Sequence, residues 1–216
     1  MLWWGRARAG GLEALPPAGP LLIASNHDSQ WDPLVILSAA RKRRQLRFLA
    51  RANLWRIFGV AWLLNGLHQI PIERGSHDSG ALDQAIAELR AGEAICVFPE
   101  GRLSLGKRQR VRSGIARLAV AVPEAPVVLC AVSGAGDYVR FPRRPRVRIE
   151  FFEPAGGQIQ PGEQPDTFAE RLMDDVRVRV PPVAAGRNPE KVAARHERRL
   201  AALDEQGQAR RDGERD

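Results

Sequence analysis

Apolar and polar positions along this chain form two kinds of pattern, and each kind predicts a different type of element. Unbroken apolar runs, of which 21–25 is the first, are typical of strands buried on both faces. Runs in which apolar residues return every three or four positions predict amphipathic helices. The predicted strands are 21–25, 46–50, 69–72, 94–98, 126–132 and 147–151, and the predicted helices are 33–40, 53–67, 76–90 and 113–122. Strands that alternate with helices at this spacing predict a layered α/β domain.

The predicted helix 53–67 differs from the others because it contains very few polar residues. Its apolar residues recur at helical intervals and include two tryptophans; they are Leu54, Trp55, Phe58, Trp62 and Leu63. Such a stripe is typical of a helix in the core. Trp on a helix surface beside Arg51 and Arg56 is also typical of a face at the headgroup level of a membrane. The sequence leaves both interpretations open.

The chain is long enough for one domain with a real core, since it has 216 residues and 44% of them are hydrophobic. Its composition changes after Pro181-Pro182, where a run dense in Arg, Glu and Ala begins. We therefore predict one folded domain over 1–180 and a charged C-terminal tail over 181–216. The tail is expected to be partly helical or disordered, with a solvated helix near 190–203.

The charge of the chain is strongly positive, with a formal net charge of +8 and a sequence pI of about 10.8. A basic surface attracts nucleic acid, anionic lipid headgroups or phosphorylated small molecules. Aromatic residues make up only 6% of the chain and lie in apolar stripes, whereas proteins that stack on bases interleave them with Arg and Lys. A nucleic-acid-binding protein is therefore the more distant alternative, and we expect no nucleic-acid partner.

The cysteines and the N-terminal segment bear on the compartment. Cys96 and Cys130 lie in apolar runs without metal-ligand spacing, so we expect them to be buried and reduced, as in the cytosol. No stretch approaches the roughly 20 consecutive apolar residues of a transmembrane helix. Arg6 and Arg8 interrupt the N-terminal segment before a signal peptide could form. We expect a cytoplasmic protein that is soluble or peripheral on the cytoplasmic face of the membrane.

Polar side chains follow three of the predicted strands at the point where each strand ends. They are Asn26-His27, Glu73-Arg74 and Glu100-Gly101-Arg102. In open α/β sheets, ligands bind beyond the carboxyl ends of the strands. A histidine base, an arginine suited to a phosphate and a turn containing glycine would make a phosphate-binding site beside a base.

His27 and Asp32, five positions apart, are the residues here best suited to catalysis. A carboxylate beside an imidazole helps the imidazole take a proton from an alcohol. A structural interpretation also exists, because Asp32 before Pro33 is a good N-cap followed by a good first helical residue. The pair alone does not decide between catalysis and capping.

Four blocks in order resemble the glycerolipid acyltransferases related to 1-acylglycerol-3-phosphate acyltransferase. They are Asn26-His27 with Asp32, Ile70-Pro71-Ile72-Glu73-Arg74, Phe98-Pro99-Glu100-Gly101 followed by Arg102-Leu103-Ser104, and the apolar segment 125–134. The resemblance spans roughly residues 10–155. It implies a layered α/β acyltransferase domain with a central mixed sheet flanked by helices.

The resemblance also implies a reaction and a role for each site residue. His27 would be the general base for the acceptor hydroxyl, and Asp32 would orient its imidazole. Arg74, with Glu100, Gly101 and the neighbouring Arg102, would hold the glycerol phosphate end of a lysophospholipid. The donor would be a thioester, acyl-CoA or acyl carrier protein, and the product of the simplest reaction would be phosphatidic acid. No metal or further cofactor is implied.

Two features leave the acceptor and the partners open. The third block more often continues Thr-Arg-Ser, and Arg102-Leu103-Ser104 shifts the guanidinium by one position. Another lysophospholipid or alcohol acceptor, or hydrolysis of a thioester, is therefore an alternative. For contact with an anionic membrane the candidates are Trp3, Trp4, Trp55, Trp62 and the basic cluster 41–44. The basic run 107–112 suits the phosphates of coenzyme A or an acidic acyl carrier protein, and a solvated loop equally well.

Overall fold

A computed structural model describes residues 6–73, 79–136 and 146–182 of the chain. In these residues one seven-stranded sheet has the strand order β1-β7-β6-β2-β5-β3-β4. The strands are β1 (Arg6–Gly10), β2 (Leu21–Ser25), β3 (Arg47–Arg51), β4 (Ile70–Ile72), β5 (Ala94–Val97), β6 (Val127–Ser133) and β7 (Arg146–Phe152).

The sheet is mixed, as predicted. Strands β6, β2, β5, β3 and β4 run parallel to one another. Strand β7 pairs with β6 in the antiparallel direction, and β1 pairs parallel to β7. The carboxyl ends of β2, β5 and β3 therefore meet at one side of the sheet, which we call the C-terminal edge.

Helices cover both faces of the sheet, so the predicted layered α/β class is confirmed. They are α1 (Asp32–Ala40), α2 (Val60–Gly66), α3 (Ser79–Arg90), α4 (Gly114–Ala121) and α5 (Pro165–Arg179). Successive residues of β2 face opposite sides, with Leu22 among the residues packed with α3, α4 and α5, and Ile23 among those packed with α1. This two-sided burial explains why the central strands are unbroken apolar runs.

The prediction of a single helix over 53–67 is wrong. The segment forms a 3₁₀ turn at Ala52–Arg56 and the short helix α2, because Gly59 between them adopts a left-handed conformation with φ of 76°. The core interpretation of its apolar stripe is also wrong. Phe58 is fully exposed and Trp62 is 81% exposed, while the indole N–H of Trp55 donates to Asn65 Oδ1 at 2.7 Å.

Two elements of the described chain were not predicted. Strand β1 is polar at alternate positions and short, so nothing in its sequence separates it from a loop. Helix α5 carries many charges, but its inward face is apolar and packs in the core through Phe168, Leu172 and Val176. The prediction of a tail over 181–216, with its helix near 190–203, lies almost wholly outside the described residues.

The structure also bears on the predictions for the two cysteines and for membrane-spanning helices. Cys96 and Cys130 are buried and free, as predicted, and burial raises the pKa of both thiols. Among the described residues, no helix is long and apolar enough to cross a membrane.

Candidate active site

The site forms where β2 and β5 end side by side at the C-terminal edge. These strands are parallel neighbours, with Ala24 paired to Val97. The chain after β2 therefore lies next to the chain after β5. This brings the first and third sequence blocks together, as the positions of the strand ends predict.

Asn26 anchors the first of these loops before the histidine. Its side-chain amide donates to the carbonyl of Val132 and accepts from the N–H of Val132, both at 2.8 Å. The amide thus pairs with β6 as a backbone group would, although β2 has already ended. Asn26 is fully buried, so these bonds fix the start of the loop that carries His27.

His27 and Asp32 form a hydrogen-bonded pair. The distance from Nδ1 of His27 to Oδ2 of Asp32 is 3.2 Å, and the side chains are 16% and 1% exposed. The same Oδ2 accepts the backbone N–H groups of Asp28 and Ser29, each at 2.7 Å. The capping interpretation of Asp32 is therefore wrong: the residue that caps α1 is Trp31, and the carboxylate points back into the loop that holds His27.

The hydrogen bond of this pair fixes the tautomer of a neutral imidazole, with the proton on Nδ1. An ionised carboxylate only accepts hydrogen bonds, so Nδ1 donates to Asp32 and the lone pair lies on Nε2. Burial raises the pKa of Asp32, although the hydrogen bond and charge of His27 and the N–H of Ser29 act in the opposite direction. The carboxylate thus depends on its hydrogen-bond partners to stay ionised.

Aromatic stacking fixes the plane of the imidazole. The ring of His27 stacks on Phe98, with ring centroids 4.2 Å apart and an interplanar angle of 18°. Phe98 stacks in turn on Phe48, with centroids 5.4 Å apart. The first aromatic residue of the third block therefore supports the histidine of the first block.

Glu100 lies beneath the pair and is nearly inaccessible. Its Oε2 accepts the backbone N–H of His27 at 3.2 Å, and both carboxylate oxygens accept hydrogen bonds from Arg177. Gly101 follows in a left-handed conformation with φ of 64°, and its N–H closes a turn onto the carbonyl of Phe98 at 2.8 Å. This backbone conformation favours glycine, because other L residues are strained there.

The predicted substrate-binding residues are thus brought together in part. Glu100 and Gly101 lie next to His27, while Arg102 is exposed and donates from Nε to Gln109 Oε1 at 2.6 Å. Arg74 lies outside the described residues. The assignment of these four residues to the acceptor stays a prediction.

Three residues that the sequence did not single out complete the site. Asp28 accepts hydrogen bonds from Asn26, from the hydroxyl of Ser104 and from Arg177. The N–H of Ser104 donates to the carbonyl of His27 at 2.7 Å. Asp28 lies inside the first block and Ser104 ends the third, so the blocks themselves were the signal. No sequence signal pointed to Arg177, because α5 was not predicted.

Comparison with known proteins identifies the family. The acyltransferase family model matches residues 6–133, which is more than half of the chain and contains His27, Asp32, Glu100, Gly101 and Arg102. The lyso-ornithine lipid O-acyltransferase of Pseudomonas aeruginosa is 34% identical over 120 residues, covering 54% of this chain and 43% of the relative. The probable 1-acyl-sn-glycerol-3-phosphate acyltransferase of Mycoplasma pneumoniae is 29% identical over 127 residues, covering 55% and 47%.

A solved structure supports the fold. The crystal structure of the 1-acyl-sn-glycerophosphate acyltransferase of Thermotoga maritima superposes with a TM-score of 0.65 at 23% identity. The superposition covers 84% of this chain and 74% of that one. The chain spans less than half the length of the two relatives named above.

Proposed function

This chain belongs to the acyltransferase family, and we propose that it transfers a fatty acyl group from a thioester to the hydroxyl of a lysophospholipid. The proposed acceptor is 1-acylglycerol-3-phosphate, which would give phosphatidic acid. The observation that carries the proposal is the His27–Asp32 pair at 3.2 Å, held by stacking on Phe98 at the C-terminal edge.

The proposed reaction uses Nε2 of His27 as the general base. As the acceptor hydroxyl oxygen attacks the thioester carbonyl carbon, Nε2 takes the hydroxyl proton. The carbon–sulfur bond then breaks, and the leaving thiolate takes this proton from the imidazolium. A positioned base of this kind contributes about 10²–10⁴-fold to the rate, and holding both substrates together supplies much of the rest.

Asp32 serves this step by compensating the charge that forms on the imidazole. Its Oδ2 already accepts hydrogen bonds from His27, Asp28 and Ser29, so the carboxylate does not move when His27 is protonated. Preorganised charge of this kind costs no reorganisation at the moment of reaction.

The acceptor headgroup is proposed to bind at the rim of the site. Arg74 and Arg102 are the cations proposed for its phosphate, by resemblance to the family. Glu100 and Gly101 are proposed to shape the floor of this subsite, since Glu100 is engaged by Arg177 and the N–H of Gly101 is used within its turn.

The donor is proposed to approach along the loop after β5. Residues 101–123 contain six Arg and Lys and no Asp or Glu, and Lys107, Arg110 and Arg112 are exposed. Such a surface suits the phosphates of acyl-CoA or an acidic acyl carrier protein. No further cofactor is required, because a thioester is already activated.

A lyso-ornithine lipid is the second candidate acceptor. The relative from Pseudomonas aeruginosa is named for that lipid, at 34% identity. The shifted Arg102 would also present its guanidinium differently to an acceptor headgroup. In this case the roles of His27 and Asp32 are unchanged, because the acceptor again attacks the thioester through an oxygen.

We also propose that the protein binds anionic membranes peripherally, through the exposed side chains of Phe58, Trp62 and Leu63, which we call the apolar tip. These side chains are exposed, and Phe58 follows β3, whose carboxyl end lies at the same edge as His27. One strand separates β3 from β2, which is about 10 Å at the usual strand spacing. Arg56 is exposed at the end of the 3₁₀ turn that precedes the apolar tip, and its charge suits anionic lipid.

A product assay tests the proposed reaction. The protein would be incubated in detergent with labelled acyl-CoA or acyl carrier protein and, in separate reactions, with lysophosphatidic acid, lyso-ornithine lipid or no acceptor. We expect phosphatidic acid in the first reaction, identified by mass spectrometry. Transfer to lyso-ornithine lipid alone would replace the proposed acceptor, and release of free fatty acid in every reaction would show a thioester hydrolase instead.

A further inference from the structure

Helix α5 ends in a buried arginine that no sequence block contains. The side chain of Arg177 is only 6% exposed, although arginine is seldom buried unless it is paired. It lies outside residues 6–133, which match the family model. Burying a charge costs free energy unless hydrogen-bond partners compensate it. The partners of Arg177 therefore indicate its role.

The guanidinium of Arg177 joins the two loops of the site. Nη2 donates to Oε1 and Oε2 of Glu100 at 2.5 and 2.6 Å, and Nε donates to Oε1 at 2.9 Å. Nη1 donates to Oδ2 of Asp28 at 2.9 Å. One rigid, planar group therefore connects the loop after β5 with the loop after β2, which a single ammonium could not do with the same geometry.

Each of the two residues whose carboxylates Arg177 holds also contacts one member of the catalytic pair. Glu100 accepts the backbone N–H of His27 at 3.2 Å. The backbone N–H of Asp28 donates to Oδ2 of Asp32 at 2.7 Å. Arg177 therefore reaches both His27 and Asp32 through a single intervening residue.

Three carboxylates lie in the immediate surroundings of His27. Asp32 is bonded to its imidazole, Glu100 accepts its backbone N–H, and Asp28 is the next residue in the chain. Arg177 is the cation that hydrogen-bonds directly to two of these carboxylates among the described residues. Without it, the carboxylates of Asp28 and Glu100 would lose their cation beside the loop that carries His27.

We propose that Arg177 is a positioning residue for acyl transfer, which holds the loops after β2 and β5 in register around the His27–Asp32 pair and balances the charges of Asp28 and Glu100. It touches neither substrate. The proposal rests on the proposed role of His27 as the general base.

The test compares Arg177→Met and Arg177→Lys with Arg171→Met as a matched control. Arg171 lies on the same helix and pairs with Glu163 at 2.6 Å, but its contacts are with the chain before α5 rather than with the site. Six residues along a helix separate the two arginines by about 9 Å. For each variant, kcat, the KM for the acyl donor and the pH profile of kcat/KM would be measured, with circular dichroism to check folding.

Arg177→Met is expected to lower kcat about 100-fold, the scale of a small displacement of catalytic groups, with little change in the donor KM. The acid limb of its kcat/KM profile should move to higher pH, because a cation near the base has been removed. Arg177→Lys should lose kcat but keep the acid limb near that of the wild type, because its charge remains. Arg171→Met should keep the wild-type kcat and the wild-type acid limb.

Two results would overturn the proposal: a folded Arg177→Met protein with the wild-type kcat and pH profile, or an equal loss of kcat in Arg171→Met. If Arg177→Met does not fold, Arg177→Lys decides alone, and wild-type kcat in that variant refutes the role. His27→Ala separates this outcome from a failure of the proposed function. An inactive His27→Ala protein beside unaffected Arg177 variants refutes only the inference, whereas a fully active His27→Ala protein removes the base that Arg177 is proposed to position.

Discussion

At the scale of single residues, the site depends on the buried carboxylate of Asp32, which orients the imidazole of His27. Asp32 binds two backbone N–H groups and an imidazole with one oxygen, and its Oδ1 has no hydrogen-bond partner among the described residues. Burying an ionised carboxylate costs free energy, and this cost appears as the raised pKa of Asp32. The residue therefore serves the reaction at some expense to stability.

Replacing Asp32 with Asn should separate these two effects. The amide oxygen can still accept the N–H groups of Asp28 and Ser29, but the charge that compensates an imidazolium is lost. We expect kcat to fall about 10²–10⁴-fold, the range for losing effective general-base catalysis. The melting temperature should stay the same or rise, since the ionised carboxylate no longer has to be buried.

The stability difference between Asp32→Asn and the wild type should change with pH. Because the pKa of Asp32 is raised in the folded protein, its stabilising contribution is present at low pH and is lost as pH rises through the folded pKa. The stability of Asp32→Asn relative to wild type should therefore increase as pH rises from about 4, the usual pKa of an Asp. Thermal unfolding at several pH values measures this difference, and a relative stability that falls with rising pH would refute it.

At the scale of elements, α2 and the turn before it show what periodicity alone cannot decide. The spacing of Leu54, Trp55, Phe58, Trp62 and Leu63 predicted a continuous helix, but it could not predict the left-handed turn at Gly59. Nor could it distinguish a core face from an exposed one, because both use the same residues. The broken helix instead leaves Phe58 and Trp62 exposed at a surface rich in Arg.

The apolar tip should matter for membrane binding. Replacing Phe58 and Trp62 together with Ser removes most of its exposed apolar surface, so we expect binding to vesicles of phosphatidylcholine and phosphatidylglycerol to weaken at least about 10-fold, given the usual gain from burying aromatic side chains. Sedimentation with vesicles measures this binding. Val120→Ser is the matched control, because Val120 is an exposed apolar residue on α4, away from the tip. Equal binding by the double variant and the wild type would refute the proposed contact.

The sequence predicted the central elements well and the peripheral ones poorly, for physical reasons. Strands such as β2 and β6 are buried on both faces, so all their residues before the last serine are apolar and the run is easily recognised. Helix α5 buries only one face and carries charges on the other, and the apolar face was not recognised. Helices α3 and α4 also bury one face but were predicted, so the charges of α5 explain why its signal was weaker.

At the scale of the whole molecule, the site is assembled from segments far apart in sequence. His27, Glu100 and Arg177 come from the loop after β2, the loop after β5 and the last turn of α5. The parallel pairing of β2 with β5 explains why the first two could be predicted to meet. The contact with Arg177 depends on how α5 packs across the sheet, and no local pattern in the sequence encodes that packing.

The basic segments of the molecule lie at both edges of the sheet. Residues 101–123, with six Arg and Lys and no Asp or Glu, follow β5 at the C-terminal edge, whereas Arg43 and Arg44 donate to the carbonyls of Leu15 and Gly92, before β2 and before β5, at the opposite edge. The carboxylates of the site lie next to the first of these segments, each bonded to a hydrogen-bond donor. Net charge alone could not choose among nucleic acid, lipid and phosphorylated substrates, and the basic segment after β5 is the one that supports the anionic donor proposed above.

The central claim is that Nε2 of His27 takes the acceptor proton, and the acyl-transfer rate of His27→Ala tests it most directly. His68→Asn is the matched control, because His68 is an exposed histidine whose φ of 51° asparagine also adopts. With saturating acyl donor and acceptor, we predict that His27→Ala loses about 10²–10⁴-fold in kcat while remaining folded, and that His68→Asn keeps the wild-type rate. Full transfer by a folded His27→Ala protein would contradict the account.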